Sequence, residues 1–165
     1  MRTAATPDED RHTLWTKSGY PLCMESRTFR EILLRAMSDE NVDTVRRFTD
    51  ALSRRDYEAA VSELGPDLEI DDTDIPESTA ADSFYTWMAR WDEIWESWSI
   101  EDLEIRAVGE DRTISLFRMI VKGKGSGVEL ERRDAVITEL REDKIVKLGY
   151  YNDQTQALEA AGLPE

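Results

Sequence analysis

Four strand-like runs follow one another through the second half of this chain with almost nothing between them. IEDLEIRAV, RTISLFRMIVKG, VELERRDAVITEL and KIVKLGYY are joined only by GED, GKGSG and RED. Connections this short join strands that turn back on themselves, so the pattern predicts an antiparallel, strongly curved sheet. Such a sheet has to be covered on at least one face, and the residues before it read as helices.

Val42, Val45, Phe48 and Leu52 recur at three- and four-residue steps, which predicts a helix that Ser38 or Asp39 would cap. Asp56 caps a second helix, DYEAAVSEL, with Tyr57, Ala60, Val61 and Leu64 inward and Gly65-Pro66 as its stop. LEIDD, residues 68–72, alternates as a short strand and leads into the loop TDIPES. A third helix is expected from about Ala80 into WMARWDEIWESW. Phe84, Trp87, Trp91 and Trp95 share one face of it, while Arg90, Asp92, Glu93 and Glu96 hold the other. Trp98 falls where that helix gives way to the first long strand. DQTQALEAAGL closes the chain as a short helix ended by Gly162.

Charge narrows the partners. The chain of 165 residues carries 36 acidic against 21 basic side chains, net −15, a field that repels phosphate backbones and anionic membranes. No nucleic acid or membrane is expected as a partner, and no segment approaches the roughly 18 apolar residues of a spanning helix. The single cysteine, Cys23, cannot close an internal disulfide, which makes a reducing cytoplasm the expected location. Residues 1–37 differ from the rest. Their early part is turn-prone and polar and reads as a flexible extension without a secretory leader. Phe29, Ile32, Leu33 and Met37 suggest a short amphipathic helix over residues 26–37 that lies on the body.

The order helix, helix, short strand, helix, four antiparallel strands resembles the nuclear-transport-factor-2-like fold. VRRFTDALSRRDYEAAVSEL, the pairing of GKGSGVELE with DAVITELREDKIVKLGYY, and the ending ALEAAGL resemble its SnoaL-like branch, named for a polyketide cyclase. The resemblance implies an α+β cone over residues 38–163, with three helices packed on a curved antiparallel sheet around an apolar pocket. It also implies a homodimer through the outer sheet face. The same fold serves isomerases, cyclases, dehydratases and proteins with no catalysis, so activity has to be argued from the site.

Two carboxylates stand out against that resemblance. Asp72 aligns with the general base of ketosteroid isomerases, and the alternative reading is a solvated acidic loop with Asp71 and Asp74. Asp134 shares a strand face with Val136, Thr138 and Leu140 and falls near the isomerases' oxyanion-binding aspartate, with the register open by one or two residues. Its alternative is an ion pair with Arg118 or Arg133. Burial would raise both pKa values, which suits proton abstraction beside a carbonyl. Trp87, Trp91, Phe48, Tyr150 and Arg118 are the candidate ligand contacts, Arg118 if its strand face is the concave one.

Several departures limit the chemistry. Phe48 stands where the isomerases carry a tyrosine, so their oxyanion hydroxyl is missing. Arg132-x-Asp134 resembles the Arg-x-Asp of limonene epoxide hydrolases, but their further aspartate falls near Tyr150. His12, the only histidine, lies in the extension, which argues against a zinc site, and no cofactor is implied. GKGSG joins two strands rather than a strand to a helix and is a hairpin connection, not a phosphate loop. The leading expectation is a binder of a small apolar or aromatic molecule, with carboxylate acid/base chemistry on a ketone or polyketide-like ligand. A non-catalytic binding or dimeric interaction module is the alternative.

Overall fold

Strand β3 (Arg112–Gly123) is an inner strand of a five-stranded sheet, and its neighbours explain the rest of the architecture. The computed structural model describes residues 22–75 and 83–164, with side chains from Thr28 onward. The chain divides into two compact units, residues 1–33 and 34–165, and the second holds the sheet. Of the flexible extension expected over residues 1–37, residues 1–21 lie outside the described residues.

Helix α1 runs Leu22–Ser53 without a break. The cap expected at Ser38 or Asp39 therefore does not form. Instead the Ser38 hydroxyl donates to the Leu34 carbonyl one turn back, which lets a serine sit inside a helix. The amphipathic stripe expected to lie on the body is exposed, with Phe29 at 64 % and Ile32 at 60 %. Asp56 does cap α2 (Tyr57–Ser62) by accepting from the Ala59 N–H. Strand β1 (Leu64–Asp72) takes in Gly65-Pro66, so the expected helix stop is the beginning of a strand.

Helix α3 spans Phe84–Ile94, and β2 (Trp95–Val108) follows it directly. Trp95, expected on the helical face, is already the first residue of β2, paired with Gly123. β4 (Glu129–Arg141), β5 (Lys144–Tyr151) and α4 (Gln154–Ala161) complete the unit. α4 ends at the expected Gly162, at φ 71°, and Asp153 caps its start by accepting from the Thr155 N–H. The GKGSG stretch is the β3–β4 hairpin loop, with the Gly123 N–H donating to the Val128 carbonyl.

The sheet order is β1-β5-β4-β3-β2. β2 to β5 run antiparallel in sequence, as their short connections predict, whereas β1 joins β5 in parallel. β4 and β5 are linked by Glu142 and Asp143, both at positive φ (51° and 61°), the two-residue turn whose twist matches that of the strands. That turn fixes the register, with Val136 opposite Tyr150 and Thr138 opposite Leu148. Alternation then sorts side chains between the two faces. Ile114, Leu116 and Ala135 pack with Ala157, Leu158 and Ala161 of α4 on the outer face. Phe117, Met119, Val121 and Tyr150 pack on the inner face with the residues of α1, α2 and α3. The architecture is the expected α+β one, helices on a curved sheet in the nuclear-transport-factor-2-like manner.

Candidate functional site

The inner face does not close completely. Between α1, α3 and the sheet remains a cavity of about 50 Å³, about a third of the ~150 Å³ cavity that takes up benzene. Phe48, Leu52, Trp87, Met88 and Trp91 form its helical wall. Trp98, Phe117, Met119, Val136 and Tyr150 form much of its sheet wall. Four of the expected ligand contacts, Phe48, Trp87, Trp91 and Tyr150, thus line one space.

Arg118 does not join them. Phe117 and Met119 face inward, so alternation turns Arg118 to the outer face, where its guanidinium meets Glu101 at 2.5 Å and Asp102 at 2.9 Å. Its expected place in the pocket is corrected on that ground. The expected pairing of Asp134 with Arg118 or Arg133 fails for the same reason, since both arginines belong to the other face.

Asp72 is 2 % exposed and stands behind the wall rather than in it. Its Oδ2 accepts from Trp87 Nε1 at 2.7 Å and from Trp91 Nε1 at 2.8 Å. Its Oδ1 accepts from the Asp74 N–H at 2.8 Å, closing a short turn at the end of β1. The solvated-loop alternative is therefore excluded for Asp72. Two helical positions one turn apart aim both indoles at one oxygen, which ties α3 to β1. Burial raises the Asp72 pKa above the ordinary carboxylate value, and the two indole N–H groups and the Asp74 N–H pull it part of the way back.

Asp134 is fully buried and also stands one layer back from the cavity. Tyr150 donates its phenolic proton to Asp134 Oδ2, and Arg132 Nη2 meets the same oxygen at 2.6 Å. Arg132, two residues along the same strand face, also pairs with Asp74 at 2.7 Å. Asn152 then donates to Asp74 Oδ1 at 2.7 Å. Burial raises the Asp134 pKa, while Tyr150 and Arg132 oppose the rise. Burial, reinforced by the Asp134 carboxylate, holds the Tyr150 hydroxyl well above its ordinary value, so it remains a donor. Burial works to lower the Arg132 pKa, but Asp74, Tyr150 and Asp134 hold it above its ordinary value.

The site thus has three layers: an apolar cavity, an aromatic wall, and two carboxylates hydrogen-bonded to that wall from behind. The indoles of Trp87 and Trp91 and the phenol of Tyr150 each face the cavity and grip an acid. Arg132 and Asp74 complete the Asp134 cluster. Arg132 was legible only as part of Arg-x-Asp, and Asp74 only as a turn residue. Strand parity could have shown more, because Arg132 is even-numbered like Asp134, Val136 and Thr138 on β4. Among the described residues no cluster of three or more His, Cys, Asp or Glu has the arrangement of a metal site.

The model of the SnoaL-like domain matches residues 45–148. A search of curated protein sequences found no match. Among solved structures, the fold is similar to a candidate polyketide cyclase from Xanthomonas campestris pv. campestris. Identity there is 16 %, with a TM-score of 0.60, 76 % of this chain and 98 % of that one covered. It is similar to a nuclear-transport-factor-2-like protein from Burkholderia xenovorans LB400 (22 % identity, TM-score 0.59, 75 % and 96 % covered). It is also similar to TerC crystallised with polyporic acid (14 % identity, TM-score 0.61, 74 % and 98 % covered).

Proposed function

This chain belongs to the SnoaL-like domain family, and we propose that it binds a small apolar or aromatic ketone or polyketide-like molecule in the inner-face cavity. The observation that carries the reading is the layered wall. The residues that would touch a ring are those that hold the two buried acids. Relatives described as a candidate polyketide cyclase and as a protein crystallised with polyporic acid support the ligand class.

At about 50 Å³ the cavity holds only a few water-sized bodies, so a ring is admitted only when the helical wall moves outward. That movement has a chemical consequence. Drawing Trp87 and Trp91 away from the sheet enlarges the cavity and withdraws both indole donors from Asp72. The freed carboxylate, with its raised pKa, then faces the ligand as a base. A ketone oxygen would lie against the Tyr150 hydroxyl, which Asp134 and Arg132 orient. Asp72 would take a proton from the carbon beside the carbonyl, and Tyr150 would turn its one phenolic proton from Asp134 to the enolate oxygen, while Arg132 stays on Asp134. No diffusible cofactor enters this step. We place the protein in the cytoplasm as a homodimer, on its single cysteine and the habit of the fold.

The test is hydrogen–deuterium exchange at the α-carbon of 1-tetralone in D₂O, followed by proton NMR. Exchange above the buffer rate, lost in Asp72→Asn and reduced in Tyr150→Phe, supports the acid/base reading. Binding of 1-tetralone without exchange would leave the non-catalytic binding module. Absence of binding would end the pocket reading altogether.

A further inference from the structure

Two hydroxyls in the cavity wall have nothing to bond to. Ser115 and Thr138 are 2 % and 1 % exposed, and both line the cavity. Neither Ser115 Oγ nor Thr138 Oγ1 has a hydrogen-bond partner among the described residues. Register places them together. Ser115 lies opposite Val136, Thr138 is two residues further along the same face of β4, and Thr113 is directly opposite Thr138. Diagonal neighbours of this kind stand about 7–8 Å apart, close enough for one small polar group to meet both. Thr113 is itself buried with an unpartnered Oγ1, which adds a third hydroxyl at the edge of the patch.

Trp98 Nε1 on the wall also has no partner among the described residues, but it can only donate, and the remaining polar groups are engaged. Thr49 donates to the Val45 carbonyl, and Tyr150 donates to Asp134. Ser115 and Thr138 are therefore free, in an otherwise greasy space, to donate and to accept. Leaving a buried hydroxyl unpaired is a standing cost to the fold, and a β-strand with the sequence TISLF could have held an apolar residue at position 115.

We propose that Ser115 and Thr138 form a polar subsite that receives an uncharged oxygen of the ligand, a phenol hydroxyl or a ring carbonyl. This deepens the reading of the cavity as a ligand pocket and rests on it. An anion is disfavoured, because no lysine, arginine or histidine lines the cavity and the arginine nearest in the site, Arg132, is already held by Asp134 and Asp74. Hydroxyls that both donate and accept suit an oxygen of either kind. The row Ser115–Val136–Tyr150 crosses two strand spacings, about 10 Å between backbones. A flat ring system carrying oxygens at opposite ends would thus meet Tyr150 with one and the Ser115–Thr138 pair with the other. The substrate class narrows to neutral, oxygenated aromatic or quinone-like molecules.

The test uses two probes of one shape, 4-fluorophenol and 4-fluorotoluene, titrated against the full chain and read by fluorine NMR. The double variant Ser115→Ala with Thr138→Val is expected to weaken 4-fluorophenol about tenfold and to change 4-fluorotoluene by less than about twofold. Thr138→Ser, which keeps the hydroxyl, is expected to retain the phenol affinity. Thermal melts without ligand should show the double variant no less stable than the parent, since it removes hydroxyls that have no protein partner. Equal loss for both probes, or unchanged phenol binding, overturns the subsite while the pocket reading stands. Failure of both probes to bind the parent chain overturns the pocket reading and the subsite with it.

Discussion

Asp72 at the end of β1 and Asp134 in the middle of β4 share the inner face of one sheet, and both are almost completely buried. Their surroundings differ in kind. Asp72 is satisfied by three neutral N–H donors and has no cation beside it. Asp134 shares one oxygen between a phenol and a guanidinium, and its other oxygen, Oδ1, has no partner among the described residues. The neutral shell ties a helix to a strand and gives way if the helix moves. The charged shell lies largely within the sheet and needs no such movement. One corner is built to be opened and the other to stay in place.

The largest effect should come from the charged corner. Asp134→Ala leaves Arg132 with Asp74 as its one carboxylate partner and takes the acceptor from the Tyr150 hydroxyl, and a loss of about 3 kcal/mol is expected from urea denaturation. A loss under about 1 kcal/mol would mean that the pair contributes no cohesion there. At the neutral corner, Asp72→Ala strands two indole N–H groups and should cost about 2 kcal/mol. Tryptophan emission should shift to the red as α3 loosens, and an unmoved spectrum would contradict the tie between α3 and β1.

Acidity separates the corners further. Burial raises Asp72, so the folded protein holds its proton to a higher pH than the unfolded chain does. Below the ordinary value of 3.8 both states are protonated and the difference vanishes. As pH climbs from 3.8 through the raised folded value, the unfolded chain ionises first and stability falls. The parent should therefore lose stability relative to Asp72→Asn over that window, read from denaturation midpoints at successive pH values. A gap that moves the opposite way would refute the sign. Tyr150→Phe, which leaves Arg132 on Asp134, should cost about 1 kcal/mol. Arg118→Ala on the outer face should leave both the denaturation midpoint and 1-tetralone binding unchanged. Weakened ligand binding in that variant would return Arg118 to the pocket.

Local pattern carried much of this fold. The ends of β3 and β5 follow from alternation and short connections, and the end of α4 from Gly162. The inward aspect of Asp134 followed from parity with Val136 and Thr138. Its exact place needed the two-residue turn at Glu142 and Asp143, which a sequence of three charged residues does not reveal. Arg118 was misplaced although Phe117 and Met119 flank it, because the face those residues share decides its direction. The partners of Asp72 were beyond local pattern. Trp87 and Trp91 were visible as a stripe, but nothing in their spacing says that their nitrogens converge on one oxygen at the end of β1. The same holds for Trp95, where pairing with Gly123 overrides a helical period that would have run on.

The parallel pairing of β1 with β5, the longest-range strand pairing in the sheet, brings residue 72 opposite residue 150. The cavity wall is therefore completed only once β5 has formed. β5 must leave the ribosome before Asp72 is brought opposite Tyr150, and closing so long a loop is slow relative to forming the β2–β5 hairpins. During refolding, tryptophan emission from the indoles beside Asp72 should mature in the slowest phase, after the antiparallel strands have gained their circular dichroism. The cavity thus depends on its latest strand, since a chain cut short of β5 would lack Leu148 and Tyr150 of the wall and leave β1 without its strand partner.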